Sequence, residues 1–286
     1  MMTPDRMADM QRATAQTATV NKDFSPVLYY YHLKHWMSQF KARFGVLEAA
    51  LLAALALYLF AIRPVPLAIF VSGFAASALE VVLLLGFQIL YGSVYGQLGI
   101  IVTMFMAGLA AGAWVGNRGL IHNDANPHPD PLPSGKGEGS PSPPSSGERI
   151  KVRGQAQNDK LKKRRSLATL AFAIAGLAVL LPLVLMVLGR LSGTTTALVA
   201  VRATIALLTF ILAVLVGMEF PIASRAEFVG GAATASRLYT ADFVGACLGA
   251  LLASTFLVPV IGVMAVCLLT AGLNVIGGAV VFRRKG

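Results

Sequence analysis

Seven apolar runs, each close to the length that crosses a lipid bilayer, constrain this chain more than any other feature. They cover residues 45–62, 66–90, 97–116, 167–188, 197–218, 240–258 and 262–282. A helix needs about 20 apolar residues to span the hydrocarbon layer. Inside that layer no water is present to satisfy peptide groups, so a spanning segment must hydrogen-bond to itself. The expected fold is therefore an all-α membrane protein, a polytopic bundle of about seven transmembrane helices. The charge content agrees: 13% of residues are charged and mean hydropathy is +0.69, where a soluble domain carries roughly 25% charged residues. The lipid bilayer is the first expected partner.

The runs come as three, a gap, then four, which divides the chain into 1–44, a first helix group 45–116, a linker 117–165 and a second helix group 166–286. The middle of the gap reads NPHPDPLPSGKGEGSPSPPSSGERIKVRG. Pro, Gly and Ser dominate and apolar residues are few, which predicts a disordered linker. PHPDPLPSGKGEG and SPPSSGERIKVRG resemble the two arms of a translated repeat element, which implies an insertion.

The net charge of +11 reads as a topology signal. Lys and Arg collect in cytoplasmic loops. Lys160, Lys162, Lys163, Arg164 and Arg165 abut the fourth run, and Arg283, Arg284 and Lys285 follow the seventh. Placing both groups in the cytoplasm also places Asn117, Arg118, Arg225 and Arg237 there. The same alternation puts residues 1–44 outside, against Lys34, Lys41 and Arg43. The consistent part is a six-helix core from the second run to the seventh, with linker and C-terminus cytoplasmic; whether 45–62 spans is left open. The basic runs lack the interleaved aromatics of a nucleic-acid site, so no nucleic-acid partner is expected.

Chemistry-bearing residues are few. Glu80 falls in the middle of the second run, and reads either as a cation-binding carboxylate or as a structural group hydrogen-bonded across helices. Arg202 falls near the outer end of the fifth run, where it can snorkel to the interface. Glu219 and Asp242 fall at cytoplasmic helix ends. Glu80, Arg202 and Asp242 are the candidate substrate-binding residues. Gly108, Gly112 and Gly116, and then Gly245 and Gly249, repeat at four-residue spacing, the pattern that lets helices approach closely. Pro182, Pro221 and Pro259 are expected at or near helix ends. Cys247 and Cys267 lie in apolar runs and read as small buried hydrophobes. His122 and His128 lie in the linker without converging ligands, so no metal site is expected. No G-x-G-x-x-G after a strand, Walker A motif, H-E-x-x-H or G-x-S-x-G occurs, so neither a cofactor nor a catalytic site is expected.

The chain also carries a resemblance. NKDFSPVLYYYHLKHW (21–36) resembles the closing segment of spermidine synthase-like domains, with Asp23 and Pro26 on the N-x-D-x-x-P-V-x-Y pattern. FVSGFAASALEVVLLLGFQILYGSVYG (70–96), VTMFMAGLAAGAWVGNR (102–118), MEFPIAS (218–224) and LYTADFVGACLGALLASTFLVPVIG (238–262) resemble successive motifs of the membrane half of the same bacterial fusion proteins. The resemblance implies a six-helix module similar to half of a major-facilitator-type transporter, in a bacterial inner membrane. In that family the soluble domain transfers an aminopropyl group to putrescine or a related amine. Here only about 20 residues match that domain's tail, without its glycine-rich cofactor loop or acidic amine site, so the resemblance implies a module non-catalytic on its own. It would anchor a synthase domain supplied by a separate chain, or it would bind or move a cation such as a polyamine, pairing with a second copy of itself.

Overall fold

The computed structural model describes residues 35, 53, 55–91, 95–123, 146–191, 195–227 and 231–283. The synthase-like tail, most of the first apolar run, and 124–145 of the linker lie outside the described residues. Among the described residues the chain is helical almost throughout and contains no strand.

Helix α1 is Pro64–Tyr91, α2 Tyr95–Asn123, α3 Ser146–Leu191, α4 Thr195–Ala226, α5 Gly231–Leu252 and α6 Val258–Arg283. A π-helical turn, Ala253–Leu257, joins α5 to α6. Its signature is the Val258 N–H donating to the Ala253 carbonyl, five residues back. Pro259 follows and has no N–H for the carbonyl of Thr255. The helical path then breaks at Gly262, whose φ of 80° and ψ of 164° suit a residue without Cβ. Among the described residues, five stretches can cross a membrane by length and composition, the last being Gly231–Arg283 with 53 residues. A straight helix of that length would measure roughly 80 Å, against a hydrocarbon layer of about 30 Å. The break at Gly262 makes two helices of it.

Close contacts fix the direction of each helix. Ser72 meets Glu219 and Arg63 meets Glu227, so α1 and α4 are antiparallel. Gly108 faces Phe210 and Ala213 while Gly116 faces Met218, so α2 and α4 run parallel. Gly86 faces Leu185 and Gly189 faces Leu90, which makes α1 and α3 parallel. Gly245 lies on Phe70 and Gly249 on Phe74, which makes α1 and α5 parallel, and Gly277 lies against Val71 and Ala68 on the antiparallel α6. Each helix thus reverses the one before. The most extensive pairings are α2 with α4, α1 with α5, and α3 with α6. Helix α1 is central and packs on α3, α4, α5 and α6. The core follows it: Leu79, Val82 and Leu83 are fully buried with Ile174, Leu181, Ile205 and Leu212, and Val65 and Ile69 are buried with Leu167, Ala223 and Leu238. In lipid such contacts hold by close fit more than by exclusion of water.

The alternation gathers Arg63, Arg118, Lys160, Arg164, Arg165, Arg225, Arg237 and Arg283 at one end of the bundle, leaving Arg190 and Arg202 toward the other. The first group marks the basic end.

Three expectations need correction. Residues 146–165 are helical, continuous with the membrane part of α3. This stretch follows the last linker proline and is rich in Lys, Arg and Gln, good helix formers; extending an existing helix also avoids the nucleation cost. Second, α4 runs to Ala226 and α5 starts at Gly231, so both outlast their apolar runs. Third, Pro182 and Pro221 lie inside α3 and α4; packed neighbours make interior prolines tolerable in membrane helices. Pro259 is the second residue of α6, at the π turn.

Candidate functional site: an acidic cavity between helices

The α1–α5 crossing begins with glycine. At Gly245 and Gly249 of α5, an added Cβ would collide with the backbones of Phe70 and Phe74. At Gly73 of α1, it would lie 2.6 Å from Asp242 Oδ1 and 2.8 Å from the Asp242 carbonyl oxygen. The missing side chain at Gly73 makes room for the Asp242 carboxylate. The α2–α4 pair uses the same device. Gly112 lies on the Val214 backbone and Gly217 on that of Leu109, and a Cβ at Gly108 would lie 2.6 Å from that of Ala213.

Where these two pairs meet, a cavity of about 220 Å³ opens, lined by α1, α2, α4 and α5. Its polar groups are Ser72, Glu219, Tyr239 and Asp242; Ile69, Leu109 and Phe220 are among its apolar walls. Ser72 Oγ donates to Glu219 Oε2, with the Ile69 carbonyl 3.2 Å away as its other acceptor. Glu219 is 2% exposed. Asp242 lines the same cavity. Phe220 and Tyr239 stack with ring centroids 4.4 Å apart, and Tyr239 continues to Phe243 at 6.1 Å. Among the described residues no Lys, Arg or His lines the cavity. Two carboxylic side chains thus line one cavity in the apolar part of the bundle, beside an aromatic wall. Buried charge is costly unless it is paired or neutralised by a proton.

The candidate residues named from sequence separate here. Asp242 lines the cavity. Glu80 lies eight residues further along α1 from Ser72, a rise of roughly 12 Å, and is half-buried. Arg202 is exposed on α4. The register set by Ser72–Glu219 places Glu80 level with Ile211, and Arg202 lies nine residues beyond that, roughly 13 Å away in depth. The structure does not bring Arg202 to the acidic cavity.

Ser72, Glu219 and Tyr239 are the functional candidates the sequence reading passed over. Glu219 falls one residue past the apolar run 197–218, which set it at a cytoplasmic helix end. The carboxylate is interior because α4 continues past Pro221.

A second charged group sits at the basic end. Arg63 Nη1 lies 3.5 Å from Glu227 Oε1, and Thr234 Oγ1 donates to the Glu227 carbonyl at 3.3 Å. Burial pushes the Glu227 carboxyl above its ordinary range, against the opposing pull of Arg63, Arg237 and Arg164. This pair ties the start of α1 to the end of α4.

Cys267 is fully buried and Cys247 exposed, both as free thiols. Among the described residues no three His, Cys, Asp or Glu side chains converge as a metal site would require. No family model, no curated protein and no solved structure matches the chain.

Proposed function

We propose that this chain is the membrane module of a spermidine synthase-like protein, and that its own contribution is to bind an organic cation such as a polyamine in the acidic cavity. The observation that carries the cation reading is that Glu219 and Asp242 line one cavity with no basic side chain among the described residues that line it. An alkylammonium group supplies the missing positive charge, donates hydrogen bonds to both carboxylates, and presents its methylene chain to Phe220 and Tyr239. Three of the motif stretches behind the resemblance, V-S-G-F, M-E-F-P and T-A-D-F, supply Ser72, Glu219 and Asp242 to this one place. In this reading the chain performs no aminopropyl transfer by itself. It sits in a bacterial inner membrane with the basic end toward the cytoplasm. It either accompanies a synthase domain on a separate chain or completes a transporter body with a second copy.

The test is calorimetric titration of spermidine and putrescine into the detergent-purified full chain. Wild type should bind. Glu219→Gln and Asp242→Asn should each weaken binding by about tenfold or more, since each removes a charge-assisted contact. Glu80→Gln should bind like wild type. A wild type that binds neither amine, or cavity variants that bind as well as wild type, would end the cation reading and leave the anchoring role alone.

A further inference from the structure

A second cavity, larger than the acidic one, is present among the described residues. It lies at the basic end, between helical residues 55–61 and the first turns of α1 and α5, and has a volume of about 390 Å³. Its lining combines two arginines, Arg63 and Arg237, and two hydroxyl residues, Ser236 and Thr240, with apolar Ala61, Ile62 and Pro66 and the aromatic Tyr58. Among the described residues no carboxylate lines it. Glu227, the ion-pair partner of Arg63, lines a neighbouring cavity together with Arg63, Lys160 and Arg164. Arg63 is 57% exposed and meets Glu227 through Nη1; a guanidinium has five donors, so most of its capacity is left for a second acceptor.

We propose that this cavity binds the phosphate headgroup of an anionic phospholipid. Each of the two guanidiniums carries a planar fork of donors that fits phosphate oxygens, and the two come from separate elements. The hydroxyl of Ser236 is placed to add a neutral donor. The apolar lining residues suit the start of an acyl chain, which a free phosphate ion would leave uncovered. The position fits as well, since the basic residues of all the helices gather at this end and basic pockets between membrane helices hold acidic lipid headgroups. The bound phosphate would tie Arg63, before α1, to Arg237 on α5, adding a link to the one that Arg63 already makes to α4 through Glu227. The inference does not depend on the acidic cavity holding an amine.

The experiment counts bound lipid by native mass spectrometry on the detergent-purified full chain, titrated separately with phosphatidylglycerol, phosphatidylcholine and inorganic phosphate. Wild type should bind one phosphatidylglycerol about tenfold more tightly than phosphatidylcholine. Arg237→Gln should lose that preference, while Arg237→Lys should keep part of it, since the charge remains and the fork does not. Arg165→Gln is the control: an exposed basic residue at the same end that lines neither cavity. It should keep the full preference. Equal binding of the two lipids by wild type would overturn the proposal. So would equal losses in Arg237→Gln and Arg165→Gln, which would indicate general attraction to a basic surface. Inorganic phosphate binding as tightly as phosphatidylglycerol, with the same dependence on Arg237, would assign the site to a free anion instead. Circular dichroism of each variant separates lost binding from lost folding.

Discussion

Ser72 on α1 donates a hydrogen bond to the carboxylate of Glu219 on α4, joining two antiparallel helices at the wall of a cavity that also holds Asp242. The bond gives a buried acceptor its partner, so removing either side has unequal effects. Ser72→Ala leaves the Glu219 carboxylate buried without that donor, a loss of about 1–3 kcal/mol. Glu219→Gln keeps a group that can still pair with the Ser72 hydroxyl and removes a buried charge, so it should unfold at or above the wild-type temperature. Thermal unfolding in a mild detergent, followed by circular dichroism, compares the two. A Glu219→Gln protein less stable than Ser72→Ala would mean that the charge itself holds the bundle together.

The sequence made the helices legible because spanning length and hydropathy are local properties. It made small-residue spacing visible too, but not which helix each stripe would meet. Gly108, Gly112 and Gly116 fall on α4, and Gly245 and Gly249 on α1. That pairing depends on helix order in space, which four-residue spacing does not encode. The site was half legible. Asp242 lies just inside the run 240–258, whereas Glu219 falls one residue past the run 197–218, and Ser72 is an ordinary residue until a carboxylate faces it. Glu80 drew attention as the most central acid along its helix, yet depth alone does not bring a residue to a cavity. The helical extension of α3 back to Ser146 was hidden by the Pro-rich stretch before it.

The glycine contacts divide substitutions into two groups. At Gly112 and Gly245 a new Cβ would run into the backbones of Val214 and Phe70. Backbone cannot swing aside as a side-chain tip can, so Gly112→Ala and Gly245→Ala should each cost about 1–3 kcal/mol through overpacking. Nothing lies within 4 Å of a Cβ built at Gly176 or Gly272. Gly176→Ala and Gly272→Ala should be neutral, or stabilising by roughly 0.5–1 kcal/mol through helix propensity. Unfolding titrations of the four variants in mixed detergent micelles check the division; equal effects in both groups would show that these helices are not packed as closely as described.

Tyr239 connects the acidic cavity to an aromatic row, at 4.4 Å from Phe220 and 6.1 Å from Phe243. If an alkylammonium ion occupies the cavity, the ring face contributes through its quadrupole, worth about 0.5–2 kcal/mol. Tyr239→Phe keeps the face and should bind spermidine within about twofold of wild type, whereas Tyr239→Leu should weaken binding by roughly threefold to thirtyfold. The two variants are compared by the same calorimetric titration. Equal losses in both would assign the effect to the hydroxyl, and an unchanged Tyr239→Leu would remove the aromatic wall from the site.

Glu227 gives a prediction about pH. Its carboxyl in the folded protein titrates above the ordinary value of 4.5, first because it is partly buried, with Arg63, Arg237 and Arg164 opposing the shift. Lys160 lines the same cavity as Glu227. A raised folded pKa means that the folded state holds this proton more tightly than the unfolded state does. The stabilising contribution is therefore complete below about 4.5 and is lost as pH rises from there through the folded value. Glu227→Gln carries no such proton. The wild-type unfolding temperature, measured relative to that of Glu227→Gln in the same detergent, should fall as pH is raised across this window. Taking the difference between the two proteins cancels the titration of every other group they share. If wild type instead gains on the glutamine variant as pH rises, attraction to Arg63 and its neighbours outweighs burial, and the ion pair at the junction of α1 and α4 is a net source of stability at neutral pH.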